Sequence, residues 1–181
     1  MKITNHMLKE KSIVLTGFMG VGKSSVGKVL ANQLLRDFVD TDHLIEKEFN
    51  MPITKIFEKY GEEVFRSKEK ELIQNLVKKK LKVISVGGGA FLNEEIREAC
   101  LKNGLVIYLD ISWKKWLERL PSLIQSRPLL KDKMENEIKE LFEVRRKLYS
   151  SHHTRILVDN HSILEVADTI TKSIKLLHEL Y

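Results

Sequence analysis

Short runs of apolar, often β-branched residues alternate along the chain with longer segments whose apolar positions recur at helical spacing. Ser12 to Thr16 is the first run, an expected strand, and Lys23 to Leu35 the expected helix after it. Phe38 to Asp40 reads as a second short strand, followed by a helix from about Asp42 to Phe49. From Ile53 to Lys80 the pattern is helical, broken near Gly61. Within it, Phe65, Leu72, Ile73, Leu76 and Val77 largely keep the i, i+3, i+4 spacing of one buried face. Val83 to Val86 is a third strand, running into Gly87, Gly88 and Gly89. Asn93 is placed to cap a helix reaching about Lys102. Leu105 to Asp110 is a fourth strand, and Ser112 caps the helix that carries Trp113 and Trp116. Pro121 to Glu135 lacks periodicity and holds two of the three prolines, so an irregular loop is expected. A helix to about Tyr149, a strand from Arg155 to Asp159 and a terminal helix from Ser162 complete the series.

Strands and helices alternating at these lengths predict an α/β fold, a parallel sheet with helices on both faces. In such sheets ligands bind beyond the carboxyl ends of the strands. Three features stand at those ends: the turn at Gly17, Asp40, and the Gly87 to Gly89 run. At 181 residues the chain, residues 1–181, fits one domain with one proper core.

Composition narrows this little further. Hydrophobic residues at 43% and charged residues at 31% describe a folding chain rather than a disordered one. Cys100 is the only cysteine, which rules out an intrachain disulfide and suits a reducing compartment. Met1 to Ser12 has no apolar run of signal-peptide length, and no stretch approaches the roughly 20 apolar residues of a membrane helix. A soluble, cytoplasmic protein is expected, with no membrane partner. The net charge of +6 owes much to Lys78-Lys79-Lys80-Leu81-Lys82, at the end of an expected helix, where cations complement the macrodipole. No nucleic-acid recognition motif accompanies it, so nucleic acid is not an expected partner.

Chemistry enters with Gly17-Phe18-Met19-Gly20-Val21-Gly22-Lys23-Ser24, which matches G-x-x-x-x-G-K-[ST]. The glycines let the backbone curl so that successive N–H groups face one anion, and the following helix adds its positive end. Lys23 brings charge to the β- and γ-phosphates, and the Ser24 hydroxyl can ligate Mg²⁺. A chance match is expected roughly once in a couple of hundred chains of this length. This one also lies between an expected strand and an expected helix.

Asp40-Thr41-Asp42 follows the second strand, with two carboxylates where the chain leaves the sheet. Phosphoryl transfer to an alcohol needs a held Mg²⁺ and a base or orienter for the hydroxyl, tasks the pair can divide. The plainer alternative is that Asp40 ends a strand while Thr41 or Asp42 caps a helix. Asp110, after an apolar strand, is a rival metal candidate of Walker B form. Gly87 to Gly89 permit close approach of backbone and ligand. Arg66, Arg127 and Arg145 can pair bidentately with phosphate or carboxylate, but among 31 Lys and Arg any one is surface charge by default.

Taken in order, these segments resemble the shikimate kinases. The matching pieces are Gly17-x-x-Gly20-x-Gly22-Lys23-Ser24, Phe38-x-Asp40-x-Asp42 and Gly61-Glu62-x-x-Phe65-Arg66. They continue with Ser85-x-Gly87-Gly88-Gly89, Arg127-Pro128-Leu129-Leu130 and Arg145-x-x-Leu148-Tyr149. The resemblance runs from about Ile13 to the terminal helix, and the ordered set is far more specific than the phosphate loop alone. It implies the nucleoside-monophosphate-kinase-like P-loop fold, with a five-stranded parallel sheet and a mobile lid at about 121–135. It implies ATP-dependent phosphorylation of the shikimate 3-hydroxyl to shikimate 3-phosphate and ADP, a step of chorismate and aromatic amino acid biosynthesis.

Carried onto this chain, the resemblance gives ATP to Gly20, Val21, Gly22, Lys23, Ser24, Ser25, Arg119 and Arg127, with Arg119 against the adenine. Shikimate falls to Asp42, Arg66, Gly87, Gly88, Gly89 and Arg145, the two arginines pairing with its carboxylate. Asp42 would orient or deprotonate the attacking hydroxyl. Ser24 would ligate one Mg²⁺ directly, with Asp40 and Ser85 acting through water, while Lys23 and Arg127 would neutralise the transferring group. A monomer is expected. Two stretches depart from the family pattern: Asp159-Asn160-His161-Ser162 lacks an arginine common after the last strand, and Pro121 to Ser126 is less polar and glycine-rich than usual. The competing readings are a gluconate-kinase-like enzyme of the same fold and a non-catalytic ATP-binding module. The second predicts loss of Lys23, Asp42 or Arg145, and all three are present.

Overall fold

The chain begins its sheet with Ile13–Thr16, four buried residues that form the central strand β1. The structure, a computed structural model, describes residues 10–124, 130 and 133–180. β1 is flanked on one side by β3 (Lys82–Ser85) and β2 (Asp37–Asp40), and on the other by β4 (Leu105–Asp110) and β5 (Thr154–Leu157). All four pairings are parallel, so the order is β2-β3-β1-β4-β5. This is the predicted five-stranded parallel sheet. Strand order reverses at β1, which opens a crevice at the carboxyl ends of β1 and β3.

Among the described residues eight α-helices connect and cover the strands: α1 (Lys23–Leu34), α2 (Thr41–Phe49), α3 (Ile53–Leu76), α4 (Glu94–Asn103), α5 (Trp113–Leu117), α6 (Leu120–Ile124), α7 (Glu135–Tyr149) and α8 (Ile163–Leu180). Val83, Ile84, Val106, Ile107 and Leu109 are buried in the sheet, as strands covered on both faces must be. The terminal helix α8 docks on α1, where Gln33 donates to Asp168 and accepts from Thr171. A second, smaller apolar cluster of Ile45, Ile56 and Phe65 joins α2 to α3. That cluster fixes the helix pair that overhangs the crevice.

Most expected boundaries hold within a residue or two, and the exceptions have local causes. The Asn93 and Ser112 caps form as expected, accepting from Ile96 N and Lys115 N. The break in α3 is Gly61, at φ 83° and ψ 161°, a conformation that needs glycine. α3 stops at Leu76, so Lys78 to Lys80 lie in the turn after it rather than in its last turn. Lys80 pairs with Glu10, and Lys82, at the start of β3, with Asp37. An irregular loop is expected from Pro121 to Glu135, but Leu120–Ile124 is helical. Pro121 sits in its first turn, where a missing N–H costs nothing. Residues 125–129, 131 and 132, Arg127 among them, lie outside the described residues. No helix among the described residues is long and apolar enough to cross a membrane.

Candidate active site

A cleft of about 570 Å³ opens at the carboxyl ends of β1, β2 and β3. Gly20, Gly22, Lys23, Ser24 and Ser25 reach it from the β1–α1 loop, Asp40 and Asp42 from the end of β2, and Ser85, Gly87 and Gly88 from the end of β3. Residues far apart in sequence thus share one concave surface, at the place the sheet topology dictates.

The nucleotide half is built from backbone. Gly22 caps α1 at φ 104°, which lets the chain turn from the loop into a helix whose N-terminus lies at the cleft. The loop's carbonyls meet side-chain donors. Lys23 Nζ donates to the carbonyls of Gly17 at 2.8 Å and Phe18 at 3.3 Å. Arg119 Nη1 donates to those of Gly20 and Val21, each at 3.1 Å. The expected adenine contact of Arg119 therefore meets a guanidinium engaged with the loop itself. Val21 has a buried side chain, and its N–H donates to the Phe18 carbonyl, so it shapes the turn rather than lining the cleft.

Between the halves, Ser24 Oγ donates to Asp40 Oδ2 at 2.5 Å, joining α1 to the end of β2. Asp40 Oδ1 also accepts from His43 N, so Asp40 itself caps α2. That corrects the alternative in which Thr41 or Asp42 is the cap. Thr41 is instead buried, and its hydroxyl accepts from Gly87 N at 3.2 Å, tying β2 to the glycine run. Ser85 pairs with Asp40 in the sheet register.

The acceptor half is built from side chains pressed on the three glycines. A Cβ on Gly87 would lie 2.5 Å from Asp42 Oδ1 and 2.8 Å from Glu69 Oε1. One on Gly89 would lie 2.9 Å from both Arg66 Nη atoms, and one on Gly88 would lie 3.7 Å from Arg145 Nη1. At Gly87 and Gly89 glycine is favoured for space, not for an unusual φ: side chains crowd the backbone, and the run gathers two carboxylates and two guanidinium groups around it. Tyr149 OH donates to the Gly88 carbonyl at 2.5 Å, holding the run against α7.

Charge in this half is unevenly compensated. Arg66 is bound by Glu69 at 2.7 Å and Glu62 at 3.0 Å. Burial works against its charge, but those carboxylates more than offset it and hold its pKa above the usual value. Glu69 is 1% exposed; desolvation, countered in part by Arg66, raises its pKa, and its Oε1 has no hydrogen-bond partner among the described residues. Arg145 is 5% exposed, its Nε is likewise unpartnered there, and burial lowers its pKa. A buried guanidinium without a carboxylate partner is costly. An anionic ligand would satisfy it.

Glu69 was not singled out from sequence. The available signal was its i+3 spacing from Arg66 on α3, which is common on any helix. The rival metal candidate Asp110 is excluded by its surroundings: it is 1% exposed and accepts from Arg155 Nε at 2.8 Å, Tyr108 OH at 2.6 Å and Arg146 Nη2 at 3.4 Å. It is a structural anchor for β5 and α7.

The family model for shikimate kinase matches residues 19–175. The shikimate kinase of Oceanobacillus iheyensis is 50% identical over 96% of this chain and 95% of its own length. That of Bacillus subtilis is 47% identical over 96% and 94%. A solved structure of the Acinetobacter baumannii shikimate kinase in complex with shikimate superposes with a TM-score of 0.79 at 30% identity, covering 96% of this chain and 98% of that one. A gluconokinase from Sinorhizobium meliloti shares the fold alone, at a TM-score of 0.53 and 16% identity. With a phosphate loop and a carboxylate lining one cleft, a buried guanidinium against the glycine run beside it, and relatives of this identity over nearly its whole length, the chain belongs to the shikimate kinase family.

Proposed function

We propose that the chain transfers the γ-phosphoryl group of ATP to the 3-hydroxyl of shikimate, releasing shikimate 3-phosphate and ADP, in chorismate and aromatic amino acid biosynthesis. The observation that carries this reading is Arg145, a buried guanidinium packed with Arg66 against the glycine run, whose Gly87 and Gly88 line the same cleft as the phosphate loop. An acceptor with a carboxylate at one end and a hydroxyl at the other spans that arrangement. Arg66 and Arg145 take the carboxylate, and Gly87 to Gly89 let it approach. Glu69 keeps the Arg66 fork turned towards the glycines.

Asp42, at the first turn of α2, orients the hydroxyl and accepts its proton as the oxygen attacks the γ-phosphorus. The bond from that phosphorus to the β–γ bridging oxygen breaks, and ADP leaves. Lys23 exchanges its two carbonyl partners for the β- and γ-phosphates. Gly20, Val21, Gly22, Ser24 and Ser25 supply the loop and helix N-terminus around them. Arg127, outside the described residues, adds a second cation to the transferring group.

Ser24 Oγ and Asp40 Oδ2 fit a Mg²⁺ site: they are hard oxygen donors already side by side, with the Ser85 hydroxyl residue next in register. Among the described residues no cluster of three or more His, Cys, Asp or Glu could hold a metal alone, so the ion would share nucleotide oxygens. When bound, Mg²⁺ offsets negative charge on the β- and γ-phosphates. We take the enzyme to be a monomeric single domain of the cytoplasm, a reading that the use of ATP as donor suits. A coupled ADP-release assay across shikimate, gluconate and nucleoside monophosphates tests the reading. ADP release with shikimate alone is expected; turnover of gluconate with none of shikimate would overturn it.

A further inference from the structure

Five consecutive carbonyls of the phosphate loop each accept from a side chain. Lys23 serves Gly17 and Phe18, Arg119 serves Gly20 and Val21, and the one between them, Met19, accepts from Trp116 Nε1 at 2.8 Å. Trp116 lies 97 residues away in sequence, on the short helix α5, and is wholly buried. Its ring is locked by an edge-on contact with Phe18 at 5.2 Å and by stacking on Trp113 at 5.3 Å.

The three donors differ in permanence. Lys23 leaves its carbonyls when it turns to the phosphates. Arg119 is half-buried on a flexible stem. Trp116 has two side-chain torsions, both jammed by neighbouring rings, and a single N–H with one partner. A trans peptide sets its C=O and N–H on opposite sides. No cis peptide occurs among the described residues, so holding the Met19 carbonyl on the Trp116 side sends the Gly20 N–H to the other side. Gly20 lines the cleft.

We infer that Trp116 is a positioning residue for ATP: its indole N–H fixes the Met19–Gly20 peptide so that the Gly20 N–H faces the phosphates. The inference rests on the phosphate-loop reading above and adds to it a residue that touches neither substrate. Without this donor the peptide is free to rotate, and its buried carbonyl competes for the same donors the phosphates need. The consequence falls on the nucleotide, not on the acceptor.

The test compares Trp116→Phe with Trp113→Phe in the full chain, measuring Mg-ATP and Mg-ADP affinity by calorimetry, KM for both substrates, and Tm. Replacement of Trp116 by its sulfur isostere, β-(3-benzothienyl)alanine, keeps the ring shape and removes only the donor, which covers the case in which Trp116→Phe does not fold. The expected result is a roughly tenfold weaker nucleotide affinity for Trp116→Phe and for the isostere. The shikimate KM should stay within about twofold, and Trp113→Phe should bind nucleotide normally while losing similar packing. Normal nucleotide affinity in the isostere, or equal weakening in Trp113→Phe, overturns the inference by making the contact one of packing only. Failure of the wild-type chain to bind ATP at all would instead bring down the phosphate-loop reading, and is seen before any variant is made.

Discussion

The two walls of the cleft are made in different ways. The nucleotide wall is one stretch of main chain, Gly17 to Ser25, whose shape follows from its own glycines and from the helix it starts. The acceptor wall is a meeting of side chains: Asp42 from α2, Arg66 and Glu69 from α3, Arg145 and Tyr149 from α7, packed on a glycine run after β3. A contiguous motif can bind any nucleoside triphosphate, since every one presents the same phosphates. A particular acceptor needs charges at set separations, and those are available only by converging several elements. The backbone wall is general, and the side-chain wall is specific.

If that contrast is right, damage to each wall should show in a different constant. The largest effect should come from Lys23→Ala, which removes the loop's only cleft-facing cation and should leave turnover undetectable with the fold intact by circular dichroism. Activity near wild type would show that the loop is not the donor site. Asp42→Asn should follow, lowering kcat by about 10²–10⁴-fold, because an amide cannot accept the hydroxyl proton. Calorimetry should find ATP binding unchanged, and weakened ATP binding would place Asp42 on the nucleotide wall instead.

Gly87→Ala sharpens the comparison from the other side. The added methyl would sit 2.5 Å from Asp42 Oδ1, so the carboxylate must move. A displacement near 1 Å at a reacting group can cost about 10²-fold, which is the loss expected in kcat with shikimate. Nucleotide affinity should not change. Arg145→Met should raise the acceptor KM by roughly 10–100-fold, the weight of a charge-assisted hydrogen bond, with the ATP KM unaffected. The same substitution should raise Tm in the absence of ligand, because it removes a buried cation that no described carboxylate pairs. A fall in Tm would mean that Arg145 is built for stability rather than for the acceptor.

The smallest effect lies away from both walls and provides the baseline. His153 Nδ1 accepts from Val106 N at 3.0 Å, and burial, with Lys11 and His152 nearby, lowers its pKa. An imidazolium cannot accept that bond. The unfolded histidine binds a proton near pH 6.5 and the folded one only at lower pH, so the contribution is complete above about pH 6.5. It is lost as pH falls from there through the lowered folded value. His153→Asn keeps an acceptor and does not titrate, so its Tm should fall less than wild type between pH 7 and 5. Parallel Tm curves would assign the acid sensitivity elsewhere.

What the sequence by itself determined is whatever is encoded locally. Alternating runs set the parallel sheet, the glycines and Lys23 set the phosphate loop, and Asn93 and Ser112 set their helix starts, because backbone geometry and periodicity are properties of neighbouring residues. The family resemblance then pointed to Arg66 and Arg145 among 31 Lys and Arg, without saying why those two matter. The reason appears only in three dimensions, where Arg145 is buried with no carboxylate paired to it among the described residues and Glu69 lies against Arg66. Tertiary structure also decided that Asp40 is both cap and Ser24 partner, that Asp110 is spent on Arg155 and Tyr108, and that Trp116 holds the phosphate loop. The long-range ones depend on strand order and helix packing, which bring Trp116 to Met19 across 97 residues of sequence. No short window of sequence contains both members of that pair.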